Sequence, residues 1–132
     1  AYGMLCIELF VTKDQHVLVN ELAPRPHNSG HYTIEGCVTS QYENHIRAIL
    51  GLPLGSTELI RPTVMKNIIG HVNKKAEVHG LEEAYKYPEV KIHIYGKQEC
   101  RVGRKMGHIT VTDKTIEDAL FKARYAHSKI KF

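Results

Sequence analysis

The sequence predicts an α+β fold. Short apolar runs of strand length are punctuated by turn residues, and two helical stripes each start at a capping residue. Strands and helices alternate irregularly, without the regular strand–helix–strand rhythm of a doubly wound parallel sheet.

The elements follow in order. Residues 4–11 form an apolar run broken by one acid, Glu8, and Val17–Ala23 form a second, broken by Asn20 and Glu21. A short polar segment separates them, so a hairpin is predicted. With Asp14-Gln15 as a two-residue turn, Lys13 faces His16 and paired residue numbers sum to 29. Glu8 then lies opposite Glu21, and Leu9 opposite Asn20. Residues 24–31 carry two prolines and a glycine and read as a loop. Ser40 is a good N-cap, with Glu43 three residues on. Tyr42, Ile46, Ile49 and Leu50 make the stripe, and Gly51 ends the helix. Residues 52–55 read as a linker. Beyond them come a strand at 64–69, a short helix at 81–85, a strand at 90–95, a turn at Gly96 and a strand at 107–112. Thr115 with Asp118 caps a last helix running to about His127.

Bulk properties narrow the classes. The 132 residues suit one domain or a piece of a larger one, and their composition is that of an ordinary soluble protein. No run is long enough to span a bilayer, and the expected setting is cytoplasmic. The chain opens without Met and enters a strand almost at once, which reads as the continuation of a longer chain. Net charge is +4, but Lys and Arg are scattered. The one tight basic cluster, Arg101, Arg104 and Lys105, suits a single phosphate better than a nucleic acid. Cys6, Cys37 and Cys100 form no CxxC pair, so they read as reduced thiols.

Three groups of residues can carry chemistry. Facing carboxylates on adjacent strands stand roughly 5 Å apart at Cβ, where like charges repel. Glu8 and Glu21 must therefore be solvated apart, share a proton, or hold a cation. A hard ion such as Mg²⁺ uses one or two carboxylates and leaves room for phosphate oxygens, with Asn20 adding a neutral oxygen. The loop supplies Arg25, His27, Asn28, Ser29 and His31, types that fork onto or orient a planar oxyanion. Lys97, Arg101, Arg104 and Lys105, interleaved with Gly103 and Gly107, suit an anion approached by cations and backbone N–H groups. Each group also has a plain reading as solvated surface. The nine histidines make no HxxxH pair, and no Ser-His-Asp or Cys-His set can be assembled.

The run Val19-Asn20-Glu21-Leu22-Ala23-Pro24-Arg25-Pro26-His27-Asn28-Ser29-Gly30-His31-Tyr32-Thr33 resembles the signature of the N5-carboxyaminoimidazole ribonucleotide synthetases, members of the ATP-grasp superfamily. The likeness continues through residues 39–43, 45–48 and 51–55 and returns at 95–97 and 103–108. It implies that residues 1–55 end an ATP-grasp domain and that 56–132 form a small β-rich C-terminal domain, single-hybrid-like in rudimentary form. It also implies ATP- and bicarbonate-dependent carboxylation of aminoimidazole ribonucleotide, with ATP and Mg²⁺ required. Glu8 and Glu21 fall at the family's metal-ligand positions and Asn20 beside metal or nucleotide. Arg25, His27 and Asn28 fall where bicarbonate and the substrate amine are held. Lys97, Arg104 and Lys105 fall where the 5′-phosphate is gripped. A homodimer is expected of the full-length protein, with no nucleic-acid or membrane partner, and the segment alone is expected to be inactive. The rival readings are another ATP-grasp ligase, such as the formate-dependent glycinamide ribonucleotide transformylase, and a non-catalytic anion-binding module.

Overall fold

The computed structural model describes residues 2–132, which form two compact units, 2–60 and 61–132. The fold is α+β: among the described residues, every strand pairing is antiparallel.

In the first unit, β1 (Cys6–Val11) and β2 (Val17–Ala23) form the predicted hairpin. The predicted turn is wrong by one residue. Thr12, not Lys13, faces His16, with Thr12 N donating to His16 O at 2.9 Å and Gln15 N to Thr12 O at 3.0 Å. The loop is thus Lys13-Asp14-Gln15, and Gln15 takes the left-handed conformation at φ 66°, as three-residue hairpin loops require. The Thr12 hydroxyl accepts from His16 N at 2.9 Å, tying the loop at its base. Phe10 therefore pairs with Leu18 and Leu9 with Val19, so the expected pairing of Leu9 with Asn20 does not form. The register then shifts between Glu8 and Leu9, with Asn20 as the extra residue, and Glu8 meets Glu21 after all. Two irregularities offset each other.

The proline-rich segment contains a single 3₁₀ turn, Asn28–Gly30, and leads into a one-turn helix α1 (Thr33–Gly36). Helix α2 (Gln41–Ile49) starts as predicted, with the Ser40 side chain accepting from Glu43 N. Its buried residues are not the apolar stripe but Gln41 and Asn44. Tyr42, Ile46, Ile49 and Leu50 are exposed. A primary amide donates and accepts at once, so it can satisfy loop backbone that an aliphatic side chain cannot. Asn44 does this for Gly55, accepting from its N at 2.8 Å and donating to its O at 3.3 Å. Residues 52–55 are accordingly held against α2 rather than forming a loose linker. The chain then pairs back, Val38 N to Glu58 O and Ile60 N to Gly36 O.

The second unit is a three-stranded sheet with a helix across one face. β7 (Lys105–Thr112) lies between β3 (Thr63–Ile69) and β5 (Val90–Ile94). Ile68, Val90, Ile109 and Val111 form the apolar face and pack on α4 (Ile116–Lys129) through Ala119, Ala123 and Ala126. Alanines at this spacing occupy one side of a helix and let it approach the strands closely. Thr115 caps α4 by accepting from Asp118 N at 3.1 Å, and the helix runs two residues past the expected end. α3 (Leu81–Ala84) adds the fully buried Ala84. Two short strands escape the periodicity altogether: β4 (Lys74–Lys75) and β6 (Glu99–Cys100) pair with each other. Lys122 on α4 bonds Glu89 at 2.8 Å and Asp113 at 2.7 Å, fastening helix to sheet by a triad that is largely shielded from solvent.

Candidate functional site

In the first unit the hairpin carries an acid–amide cluster. Successive side chains on a regular strand point to opposite faces, so Asn20 and Glu21 would ordinarily part. The bulge changes this, as bulges do when they re-aim a side chain. Glu21 sits directly across from Glu8, while the Asn20 amide donates to Glu8 Oε1. The Asn20 amide thus meets the Glu8 carboxylate on the hairpin face that Glu8, as its cross-strand partner, shares with Glu21.

The loop joins that cluster. Glu21 Oε1 lies 3.6 Å from His27 Nε2 and 3.9 Å from Arg25 Nη2. The His27 side chain is only 13% exposed, against 62% for Arg25, whose Nη1 also donates to Pro26 O at 3.1 Å. His27 Nδ1 accepts from Ser29 N at 3.3 Å and lies 2.8 Å from its hydroxyl. Its proton therefore resides on Nε2, toward Glu21. Asn28 opens the 3₁₀ turn directly after His27, and its carbonyl accepts from His31 N.

The cluster fits a hard divalent cation. Two facing carboxylates beside an amide match the sparse protein donor set that Mg²⁺ takes when phosphate oxygens and water complete its shell. Among the described residues no group of three or more His, Cys, Asp or Glu forms a fuller protein cage.

In the second unit Lys97, Arg104 and Lys105 come together where β6 turns into β7. Lys97 Nζ donates to Lys105 O at 2.6 Å, and Arg104 Nη1 to Glu99 O at 3.1 Å. Gly103, at φ 78°, makes the turn that places Arg104 and Lys105 on this side. Burial, then the charges of Arg104 and Lys105, hold the Lys97 ammonium below the usual lysine range. A site that penalises its own cation in this way gains from an incoming anion. Lys97 also lines a cavity of about 1070 Å³ with Lys74, Lys75 and Arg101. Arg101 itself is paired with Glu99 at 2.6 Å.

Comparison with known proteins identifies the family. Residues 1–42 match the ATP-grasp domain, and residues 63–122 the phosphoribosylaminoimidazole carboxylase C-terminal domain. The N5-carboxyaminoimidazole ribonucleotide synthase of Bacillus subtilis is 56% identical over 108 residues, covering 82% of this chain and 27% of the relative. The Mycobacterium bovis synthase is 45% identical over 130 residues, covering 94% of this chain and 30% of the relative. The chain belongs to the N5-carboxyaminoimidazole ribonucleotide synthase family.

The crystal structure of the synthetase from Thermotoga maritima superposes with a TM-score of 0.88 at 56% identity, over 98% of this chain and 37% of that one. The Aspergillus clavatus synthase in complex with ADP and 5-aminoimidazole ribonucleotide gives 0.80 at 41% identity, over 96% and 34%. This chain thus spans roughly a third or less of the curated relatives named above. Within the stretches that carry the family likeness, one residue without an assigned role stands out structurally. Gln41 is 8% exposed and bonds the His27 backbone. Its contact crosses fourteen positions of sequence and leaves no local pattern.

Proposed function

We propose that the protein of which this chain is part carboxylates 5-aminoimidazole ribonucleotide to the N5-carboxy product, in purine biosynthesis, as an ADP-forming carbon–nitrogen ligase in the cytoplasm. The juxtaposition of Glu8, Asn20 and Glu21 beside Arg25 and His27, in a chain of this family, carries the proposal. Residues 1–55 close the ATP-grasp domain and 56–132 make the small C-terminal domain. The relatives' names favour bicarbonate over formate as the one-carbon substrate.

Phosphoryl transfer needs positioning and charge neutralisation far more than covalent help. Glu8 and Glu21, with Asn20 alongside, would hold Mg²⁺, which when bound would supply neutralisation of charge on the ATP phosphates. Arg25, His27 and Asn28 hold bicarbonate, so that one of its oxygens takes the γ-phosphoryl group and the bond to ADP breaks. The substrate's exocyclic nitrogen then bonds the carboxyl carbon, phosphate leaves, and the nitrogen gives up a proton. Lys97 and Arg104, with Lys105, grip the 5′-phosphate. A homodimer without nucleic-acid or membrane partners completes the reading; among the described residues no helix is long and apolar enough to cross a membrane.

The test is ADP release by the full-length protein with aminoimidazole ribonucleotide and bicarbonate, beside Glu21→Ala. Release should require both substrates and fall at least about 100-fold in the variant, as when a group stabilising transition-state charge is removed. Release indifferent to bicarbonate, or supported by formate instead, would refute the assignment.

A further inference from the structure

Gln41 is the first residue of α2, immediately after the Ser40 cap, and is buried. Its side-chain Oε1 accepts from His27 N at 3.0 Å, and its Nε2 donates to His27 O at 2.8 Å. One amide therefore clasps both main-chain groups of His27. An N–H can only donate and a carbonyl can only accept, so the amide orientation is settled by its partners. The second hydrogen on Nε2 faces His31 Nδ1 at 2.9 Å. That ring nitrogen must accept, which places the His31 proton on Nε2. The Tyr42 hydroxyl lies 3.0 Å from Nδ1 and 3.4 Å from Nε2, so it does not discriminate between the tautomers, and its ring stacks on the imidazole with centroids 5.6 Å apart. Gly30 completes the seat, since a Cβ there would stand 2.5 Å from Gln41 Oε1. The α2 start is itself pinned, with Gln41 N donating to Thr33 Oγ1 at 2.9 Å and that hydroxyl donating to Gly30 O at 2.6 Å.

We propose that Gln41 is a positioning residue for the oxyanion loop: it fixes the main chain of His27 and holds His31 neutral, as an Nε2–H donor. The loop then presents two histidines in the same tautomer, since Ser29 N imposes on His27 what Gln41 imposes on His31. A neutral N–H donor orients bicarbonate or its phosphorylated form without delivering a proton that would discharge it. A loop free to choose tautomers would spend part of its time with the wrong ring nitrogen protonated. The inference rests on the carboxylation reading for its kinetic consequence, but the tautomer of His31 stands apart from it.

The experiment uses the full-length enzyme as wild type, Gln41→Glu and Tyr42→Phe. Long-range ¹H–¹⁵N spectra of the imidazoles report which His31 nitrogen bears the proton, and steady-state kinetics give KM for bicarbonate and for ATP. Wild type should show His31 protonated on Nε2 alone, as its hydrogen bond from Gln41 requires. Tyr42→Phe should keep that tautomer and the bicarbonate KM, because Gln41 still donates. In Gln41→Glu an acceptor replaces the donor, so Nδ1 of His31 takes a proton. The bicarbonate KM should then rise about ten- to hundredfold, the scale of a misplaced binding group, with KM for ATP within about twofold. A wild-type His31 protonated on Nδ1, or a tautomer lost in Tyr42→Phe, overturns the assignment even if Gln41→Glu fails to fold. A folded Gln41→Glu with unchanged bicarbonate KM overturns the positioning role. An enzyme that uses formate instead would refute the proposed function while leaving the tautomer result intact.

Discussion

The side-chain amide of Asn20 donates to the carboxylate of Glu8 across the hairpin, although Asn20 has no partner of its own in the ladder. Asn20 is the surplus residue of a bulge, and its neighbour Glu21 takes the place opposite Glu8. Acid, amide and acid are thereby gathered from two adjacent positions and one facing position, which an unbroken pleat would separate.

Asn20→Ala is expected to leave the fold intact, since the residue is exposed and unpaired in the sheet. It removes the donor that orients Glu8. Activity of the full-length enzyme should fall about 10- to 100-fold, the range for groups that orient metal ligands, and half-saturation by Mg²⁺ should move to higher concentration. An unchanged Mg²⁺ dependence would show that Glu8 needs no orienting partner.

Lys97 carries a pH signature. Burial and the neighbouring charges of Arg104 and Lys105 lower its affinity for a proton, so it discharges below the ordinary lysine range. KM for the ribonucleotide should therefore climb as pH rises through that lowered range. Lys97→Arg keeps its charge and should abolish the climb, whereas Lys97→Ala should raise KM about tenfold or more at neutral pH. A climb that persists in Lys97→Arg would assign the titration elsewhere.

The triad of Lys122, Asp113 and Glu89 sets an acid limit on the second unit. Hydrogen bonds from Lys122 hold both carboxyls below their usual range, and the two acids hold Lys122 above its own. The carboxylates contribute stability above the ordinary carboxylate range and lose it as pH falls through their lowered values. The lysine's share persists below the ordinary lysine range and is lost only in strong alkali. The melting temperature should be flat near neutrality and fall in acid. In Lys122→Met two like charges face each other unpaired, so its deficit should shrink on acidification; a deficit independent of pH would show that packing, not charge, is lost.

Gly107 faces β5 with no room for a side chain, because a Cβ would stand 2.3 Å from His93 O. Gly107→Ala should separate β5 from β7 and destabilise the second unit by about 1–3 kcal/mol, the usual scale of overpacking. Denaturant melts of the full-length protein would show it as a lower midpoint. Ile109→Ala, at the centre of the same sheet and fully buried, should cost about 2–5 kcal/mol.

The 132-residue segment expressed alone should turn over no ATP and should aggregate. Ile7, Leu9, Val11, Leu18, Val19 and Leu22 of the hairpin are each about half exposed or more, and a two-stranded ribbon with open edges is marginal by itself. A cooperative melt that ATP raises would contradict this.

Local chemistry alone determined a good part of this protein. Ser40 and Thr115 announce helix starts because a hydroxyl can reach a backbone N–H only a turn away, and both caps form. Residues 107–112 read as a strand, which the structure makes the central one, and the run from Val19 to Thr33 carries the family's signature. What only the tertiary structure decided are relations of register and long reach. The turn is one residue longer than the polar pattern suggests, because Gln15 adopts a left-handed conformation that its side chain does not advertise. The bulge at Asn20 then restores the Glu8–Glu21 pairing that a wrong turn had correctly anticipated. Strands β4 and β6 hold two residues each, too few to show a period. Gln41 reads as an ordinary helix residue until its amide is seen to close on His27 and His31, for a hydrogen bond between distant positions depends on where the backbone goes and leaves no spacing to read.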